Sequence, residues 1–287
     1  MKENTISNQL KLATEKLNAA GIDNARLDAE VLLAYVLNSR RLALYVHFEK
    51  ILSDEQITRY HNLIKRRLER IPVAYLTGHK EFMGLNFAVT PDVLIPRPDT
   101  EVLAQGVIEH LHAFNRGNLK LADLGVGSGA ICVSILKFID NVTADAVDIS
   151  QKALEIAQFN AQKFNVDDKI NFYVGNLFEP LEGKIFDVIV SNPPYVSSGD
   201  FKTLQPEIKF NEPKIAFDGG IDGLNFYRKI VATAPKFLND GGFLAMELGL
   251  NHAEPVRNLI NENGNFKHIE IWKDLAGIER VIAAWKK

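Results

Sequence analysis

Leu119-Lys120-Leu121-Ala122-Asp123-Leu124-Gly125-Val126-Gly127-Ser128-Gly129-Ala130 runs from an apolar, strand-forming stretch through three glycines into a helix-forming one. A strand that ends in glycines ahead of a helix N-terminus makes a ligand-binding turn, because glycine lets backbone amides approach a ligand closely. Outward from this turn the chain alternates two periodicities. Strands are predicted at 119–124, 142–148, 170–174, 186–190, 242–247, 267–272 and 280–285, with helices at 128–138, 151–164, 224–238 and 252–262. That alternation predicts an α/β fold built on a doubly wound, Rossmann-like parallel sheet. Ligands of such sheets sit at the carboxyl ends of the strands, near the point where strand order reverses. Asp123, Asp148, Asn176 and Asn192 fall at those ends.

Gly125-x-Gly127-x-x-Ala130 also satisfies the dinucleotide fingerprint, and Asp148 lies about where that motif's ribose-binding acid belongs. Asp123 separates the two possibilities. A carboxylate two residues before the first glycine repels a pyrophosphate, but suits the cationic amino end of S-adenosylmethionine, with Asp148 taking the ribose hydroxyls. Taken singly, each glycine reads equally as a turn and each aspartate as a helix cap.

Asn192-Pro193-Pro194-Tyr195 follows the apolar run 186–190. The same four residues could serve as a plain turn after a strand, but their chemistry suits a planar nitrogen substrate. The lone pair of an amide or aromatic amino nitrogen is delocalised, so a methylating site must hold that nitrogen by its hydrogens. The Asn192 side-chain oxygen can accept one N–H. The Pro193 carbonyl can take the second, since two successive prolines have fixed φ and no donors of their own. Tyr195 supplies a flat wall.

Ahead of the sheet, residues 5–76 read as entirely helical. Ile6, Leu10, Ala13 and Leu17 share one helical face ended by Gly21, and a second helix runs from Asp23 or Asn24 through Leu27, Val31, Leu32 and Tyr35. A short third covers 42–46. Ser53 and Gln56 form a capping box for a fourth, whose apolar positions Ile57, Tyr60, Ile64 and Leu68 leave Arg59, Lys65, Arg66, Arg67 and Arg70 mostly outside. Residues 81–89 alternate around Gly84 as a hairpin. The rigid Ile95-Pro96-Arg97-Pro98-Asp99-Thr100-Glu101 then leads into a helix that Thr100 or Asp99 could cap. The expected organisation is a helical domain at 1–76, a hairpin linker at 77–95 and a catalytic domain at 96–287.

The 287 residues are 46% hydrophobic and 24% charged, enough for one large core or two modest ones. A net charge of −3 argues against a dedicated nucleic-acid binder. Residues 1–80 nevertheless carry a net +4, against −7 for the remainder, which suits an acidic partner for the N-terminal part. Cys132 stands alone, and no Cys/His cluster has metal-ligand spacing, so no metal is expected. The start at Met1-Lys2-Glu3-Asn4 lacks a basic region followed by an apolar core, and no apolar run approaches the roughly 20 residues of a membrane helix, so a cytoplasmic location is expected.

Asp123 to Gly129, Asn192 to Tyr195, Ile95 to Glu101, Pro72-Val73-Ala74-Tyr75-Leu76-Thr77-Gly78 and Phe217-Asp218-Gly219-Gly220 together resemble the HemK/PrmC family, the peptide chain release factor N(5)-glutamine methyltransferases. The likeness spans nearly the whole chain. It implies a class I methyltransferase sheet with a small helical substrate-docking domain, and transfer of a methyl group from S-adenosylmethionine to the glutamine of the Gly-Gly-Gln motif in release factors. By family pattern Asp123, Gly125, Val126, Gly127, Ser128, Gly129 and Asp148 hold the cofactor, Asn176 and Leu177 border its adenine, and Asn192, Pro193, Pro194 and Tyr195 hold the glutamine, with Asn192 also beside the cofactor. Relatives more often have Asp after Gly175. An amide at Asn176 donates to an adenine nitrogen but accepts less well from the adenine amino group. A monomer with no direct nucleic-acid contact is expected. Asn-Pro-Pro-Tyr is shared with ribosomal-protein glutamine methyltransferases and with nucleic-acid amino methyltransferases, which act on a flipped base; these are the rival functions, beside an NAD-binding module.

Overall fold

The computed structural model describes residues 4–114 and 117–287; residues 1–3, which bear on the reading of the chain's start, lie outside them. The chain falls into two compact units. One takes in the residues up to His79 together with Gln205–Asn211, and the other comprises Lys80–Leu204 and Glu212–Lys287.

In the first unit α1 (Ile6–Ala19), α2 (Ala25–Val36), α3 (Arg41–Val46), α4 (Asp54–Leu68) and α5 (Val73–Thr77) bring Leu10, Leu17, Leu32, Leu33, Tyr60 and Ile64 into one core. Thr5 caps α1 through the Asn8 amide at 3.3 Å. The expected capping box closes α4 with both bonds, Gln56 N to Ser53 Oγ at 3.2 Å and Ser53 N to Gln56 Oε1 at 3.0 Å. Arg59, Lys65 and Arg66 are exposed as expected, but Arg67 is buried. Its guanidinium donates to Asp28 Oδ2 at 2.7 Å and to Glu207 Oε1 at 2.9 Å. Glu207 comes from a short helix, Pro206–Asn211 (α9 in chain order), which also meets Arg70 at 3.3 Å. A six-residue helix holds under two turns of pattern, so periodicity gave no sign of it.

A hairpin follows, β1 (His79–Phe82) and β2 (Leu85–Ala88), all but its first residue in the second unit, and its two turn residues Met83 and Gly84 both have positive φ, 53° and 73°. That is the tight turn whose twist matches two antiparallel strands. The Glu101 carboxylate accepts from the Met83 amide at 2.9 Å and fixes the turn to α6 (Glu101–Ala113).

The main sheet comprises β3 (Leu119–Leu124), β4 (Val142–Asp148), β5 (Ile170–Val174), β6 (Phe186–Ser191), β7 (Leu238–Glu247), β8 (Phe266–Lys273) and β9 (Glu279–Lys286). Its order is β5-β4-β3-β6-β7-β9-β8, parallel from β5 to β7, with β9 antiparallel to both neighbours. Along the fully buried β6, Val188 and Val190 join a core with Leu103, Val133 and Leu136 of α6 and α7 (Ala130–Phe138), which also takes in Leu154 of α8 (Gln151–Lys163). Ile189 joins a second core with Tyr227 and Val256 of α10 (Asn225–Thr233) and α11 (Ala253–Asn263). Two cores, one on each face, are what a doubly wound sheet requires.

Two boundaries differ from the sequence-based expectation by more than two residues. The helix expected to 238 stops at Thr233, since Pro235 has no amide to continue it and the chain tightens into a 3₁₀ turn over Ala234–Lys236. β7 starts at Leu238, ahead of 242, because its register against β6 shifts between Phe186 and Val188 and lets residues 239–242 bulge. Among the described residues no helix is long and apolar enough to cross a membrane.

Replacing Arg67 by Ala should lower stability by about 2–4 kcal/mol, because two partly buried carboxylates lose their shared cation, while Arg66→Ala should stay within about 0.5 kcal/mol. Urea unfolding followed by circular dichroism reads both. Equal, small losses would mean that Arg67 is not the clamp described.

Candidate functional site

β3 pairs with β4 on one side and with β6 on the other, so strand order reverses there. A cavity of about 290 Å³ opens at the carboxyl ends of these strands. Of the residues singled out from sequence, Gly125, Gly127, Asp148, Asn176, Leu177, Asn192, Pro193 and Pro194 line it. Asp123, Val126, Ser128, Gly129 and Tyr195 do not. Ile149, Phe226 and Leu94 add apolar wall to which no motif pointed.

Asp148, the last residue of β4, is organised by backbone: Oδ2 accepts from Gly127 N and Oδ1 from Ser150 N, each at 2.9 Å. Burial outweighs these two bonds and raises its pKa. A carboxylate has about four lone-pair sites, so acceptor capacity remains for two hydroxyls in the cavity. Asn176 spends one amide hydrogen on Glu179 Oε1 at 3.1 Å. The glycine turn divides by task. Gly125 and Gly127 face the cavity, whereas a Cβ on Gly129 would meet Ala157 of α8 at 3.3 Å, so Gly129 serves helix packing. Asp123 is wholly buried; Oδ2 accepts from Cys132 N at 3.2 Å, and Oδ1 has no partner among the described residues. Burial pushes its pKa up to about 7.

Asn192 follows β6 directly. Its Nδ2 donates to Thr100 Oγ1 at 3.3 Å, and among the described residues its Oδ1 accepts no hydrogen bond. Tyr195 turns away from the larger cavity. With Asn192, Arg97 and Glu247 it lines a smaller one of about 30 Å³, and its hydroxyl donates to Glu247 Oε1 at 3.3 Å. Thr100 makes no capping bond, and Asp99 pairs with Arg280 at 2.9 Å, so neither caps α6 as expected. Phe217-Asp218-Gly219-Gly220 pins the chain beyond Tyr195, with Val196 N to Phe217 O at 2.8 Å and Gly219 N to Val196 O at 2.9 Å. Glu212 holds the Pro-Arg-Pro segment by accepting from Ile95 N at 3.1 Å and pairing with Arg97.

Glu247 was not foreseen. It ends β7, is 2% exposed, and its Oε2 has no partner among the described residues; burial pushes its pKa up to about 7. A carboxylate closing an apolar strand was the available signal, the same one that marked Asp123 and Asp148. A wider hollow of about 920 Å³ opens at the opposite, amino ends of the strands, but there Lys184 is paired with Asp145 at 2.7 Å, and it brings together none of the residues singled out above.

Two family models match: the PrmC N-terminal domain over residues 8–78 and the methyltransferase small domain over residues 100–208. The sheet, the glycine turn and the cavity at the reversal define a Rossmann-like methyltransferase of the kind that uses S-adenosylmethionine. A methyltransferase structure from Pyrococcus furiosus is similar in fold, with a TM-score of 0.50 at 22% identity, over 78% of this chain and 98% of that one. Release factor glutamine methyltransferase of Geobacter sulfurreducens is 42% identical over 279 residues, covering 97% of this chain and 95% of that one; its counterpart from Moorella thermoacetica is 37% identical, covering 99% of each. The chain belongs to the release factor glutamine methyltransferase family. The residues present fit the cofactor: the open lone pairs of Asp148 suit ribose hydroxyls, and the wall of Ile149, Leu177 and Phe226 suits a flat base.

Asp148→Ala should weaken S-adenosylhomocysteine binding by about 1.5–3 kcal/mol, the range for hydrogen bonds to a charged group. Isothermal titration calorimetry measures it, and unchanged affinity would move the ribose contact elsewhere. The two deeper carboxylates predict a pH effect. Asp123 and Glu247 titrate near 3.8 and 4.5 when unfolded and about 7 when folded, so the folded state holds more protons between these limits. Stability of the ligand-free protein therefore falls as pH rises through that window, by up to about 1.4 kcal/mol per pH unit for each group. Glu247→Gln should flatten the curve; an unchanged slope in that variant would contradict the assignment.

Proposed function

We propose that the protein methylates the side-chain amide nitrogen of the glutamine in the Gly-Gly-Gln motif of peptide chain release factors. One observation carries this beyond family membership: a single cavity has Asp148 and the glycine turn on one wall and Asn192-Pro193-Pro194 on another. A cofactor site and an amide site therefore share one space.

When bound, S-adenosylmethionine supplies an electrophilic methyl group. The chain's own part is to aim the nucleophile. Asn192 Oδ1 and the Pro193 carbonyl accept the two amide N–H bonds, holding the nitrogen by its hydrogens so that its lone pair points across the cavity. The prolines keep that carbonyl in place. Alignment of this kind supplies most of the rate enhancement, since a held near-attack geometry removes the entropic cost of meeting. Asn192 positions and carries no proton. The nitrogen becomes acidic only as the methyl arrives, and then loses a proton to a neighbouring acceptor or to water. Ile149, Leu177 and Phe226 limit water beside the reacting atoms. Asp123 and Val126, Ser128 and Gly129 support the turn from behind, and Tyr195 supports the substrate wall.

The helical unit is the docking module for the protein substrate. Its exposed Arg59, Lys65 and Arg66 lie on one helix and suit an acidic surface. The proposal includes a monomer acting in the cytoplasm, where release factors serve translation, without a nucleic-acid partner of its own.

The test is transfer of a labelled methyl group to a purified release factor, a ribosomal protein and single-stranded nucleic acid in parallel. Label on the release factor supports the proposal, and label only on another substrate overturns it. Asn192→Ala should bind S-adenosylhomocysteine normally and turn over on the order of a hundredfold more slowly, by analogy with loss of one oxyanion-hole donor; normal turnover would remove the amide clamp. Charge reversal at Arg59, Lys65 and Arg66 together should slow methylation of the intact release factor more than of a Gly-Gly-Gln peptide, with a deficit that shrinks as salt rises. Equal losses on both would count against docking through that face.

A further inference from the structure

Asn160 of α8 is wholly buried and does not line the cavity, yet its side-chain amide is fully engaged. Oδ1 accepts from Ala88 N at 2.8 Å, and Nδ2 donates to Ala88 O at 3.0 Å and to Ser128 O at 2.8 Å. Both amide hydrogens are spent, and only this orientation serves one N–H and two carbonyls. An asparagine that merely filled the core could find its partners anywhere. These partners lie on two segments, 72 and 32 residues upstream, and each runs directly into a wall of the cavity.

Ser128 belongs to the glycine turn. Its neighbour Gly127 faces the cavity and donates to Asp148 Oδ2 at 2.9 Å. The amide four residues on, which serves such a carbonyl inside a helix, is that of Cys132, and it is bonded to Asp123 Oδ2 at 3.2 Å; Asn160 serves the Ser128 carbonyl instead. Ala157 lies one turn earlier on the same face of α8, where a Cβ on Gly129 would come within 3.3 Å of it. That close approach brings the turn within reach of Asn160.

Ala88 ends β2, and both its backbone groups go to one side chain, as they would to a residue of a neighbouring antiparallel strand. Shortly beyond it, Pro91, Asp92, Val93 and Leu94 form part of the cavity wall. A second tie from α8 to this segment, Lys152 to Asp92 at 3.1 Å, is exposed and correspondingly weak. The buried amide therefore carries the connection.

We infer that Asn160 is a positioning residue for the cofactor: one buried amide locks the segment beyond the hairpin to the glycine turn, and so sets the spacing between residues 91–94 and the Gly127–Asp148 contact between which S-adenosylmethionine binds. Asn160 itself touches neither cofactor nor substrate. The hairpin is then part of the cofactor site as well as a linker. The inference rests on the cofactor occupying the cavity described above.

The test compares Asn160→Ala, Asn160→Asp and Phe164→Leu in the full chain. The aspartate keeps the shape and can still accept from Ala88 N, but when ionised it has no hydrogen for the two carbonyls. Phe164 follows α8 and packs on Phe87 of β2 with ring centroids 5.0 Å apart, so Phe164→Leu loosens the same helix–hairpin contact without touching the amide. At a temperature where circular dichroism shows each variant folded, calorimetry should find S-adenosylhomocysteine bound about tenfold to a hundredfold more weakly by the Asn160 variants, by analogy with loss of a group that holds a metal ligand from behind. Phe164→Leu should stay within about twofold even where its Tm falls as far, since a loss of stability alone leaves the folded protein's affinity unchanged. The assigned ¹⁵N–¹H signal of Gly127 should shift in both Asn160 variants and stay in place in Phe164→Leu. The unaltered protein supplies a readout that needs no variant: hydrogen exchange at the Ala88 amide should slow when S-adenosylhomocysteine binds, because a group that positions a ligand is stabilised by it in turn. Near-normal affinity in a folded Asn160 variant, equal losses in Phe164→Leu, or Ala88 exchange indifferent to the ligand would each overturn the inference. Affinity that depends on Asp148 and not on Asn160 overturns this inference alone, whereas an unaltered protein that binds no S-adenosylhomocysteine removes the cofactor reading and this inference with it.

Discussion

β3 is flanked by β4 through Leu119–Leu124 and by β6 from Leu121 to Leu124, and the helices that follow β3 and β6, α7 and α10, pack on opposite faces of the sheet. That one reversal is the constraint on which the site depends. It parts the loops at the carboxyl ends and opens a gap between them. The turn after β3 and the turn after β6 become the two walls of one cavity although 67 residues separate Leu124 from Ser191, which are hydrogen-bonded at 2.7 Å. Neither turn could hold two ligands in register alone.

The reversal also concentrates charge. Asp123, Asp148 and Glu247 end β3, β4 and β7, and all three have pKa values raised by burial. Each opposes folding at neutral pH, since an ionised carboxyl loses hydration that its partners only partly replace. Hydrophobic burial on the sheet's two faces offsets the cost. Two of them border hollows: Asp148 faces the larger cavity, and Glu247 lines the smaller one with Asn192 and Tyr195. The helical unit shows the contrasting use of buried charge, where Arg67 is enclosed by Asp28 and Glu207 and serves stability.

Much of the fold was legible because its signals are local. β3, β4 and β5 were bounded correctly from apolar runs closed by polar or glycine residues, and the Ser53–Gln56 box is chemistry within four residues. The cavity residues Gly125, Asp148 and Asn192 were legible for the same reason, since each closes a strand. What escaped depends on partners distant in sequence. Arg67 looked like a surface cation because Glu207 lies 140 residues away. Thr100 looked like a cap because its partner Asn192 lies 92 residues away. Within the glycine turn, sequence could not tell Gly129, which admits Ala157, from Gly127, which faces the cavity.

The central claim is that the space between Asp148 and Asn192-Pro193-Pro194 aims one amide nitrogen at a methyl donor. Tandem mass spectrometry of a release factor incubated with the protein and S-adenosylmethionine tests it most directly, because fragmentation locates the added methyl group on an atom. The account predicts a single methyl group on the side-chain nitrogen of the Gly-Gly-Gln glutamine. A methyl group on any other residue, or on a backbone or oxygen atom of that glutamine, would contradict it.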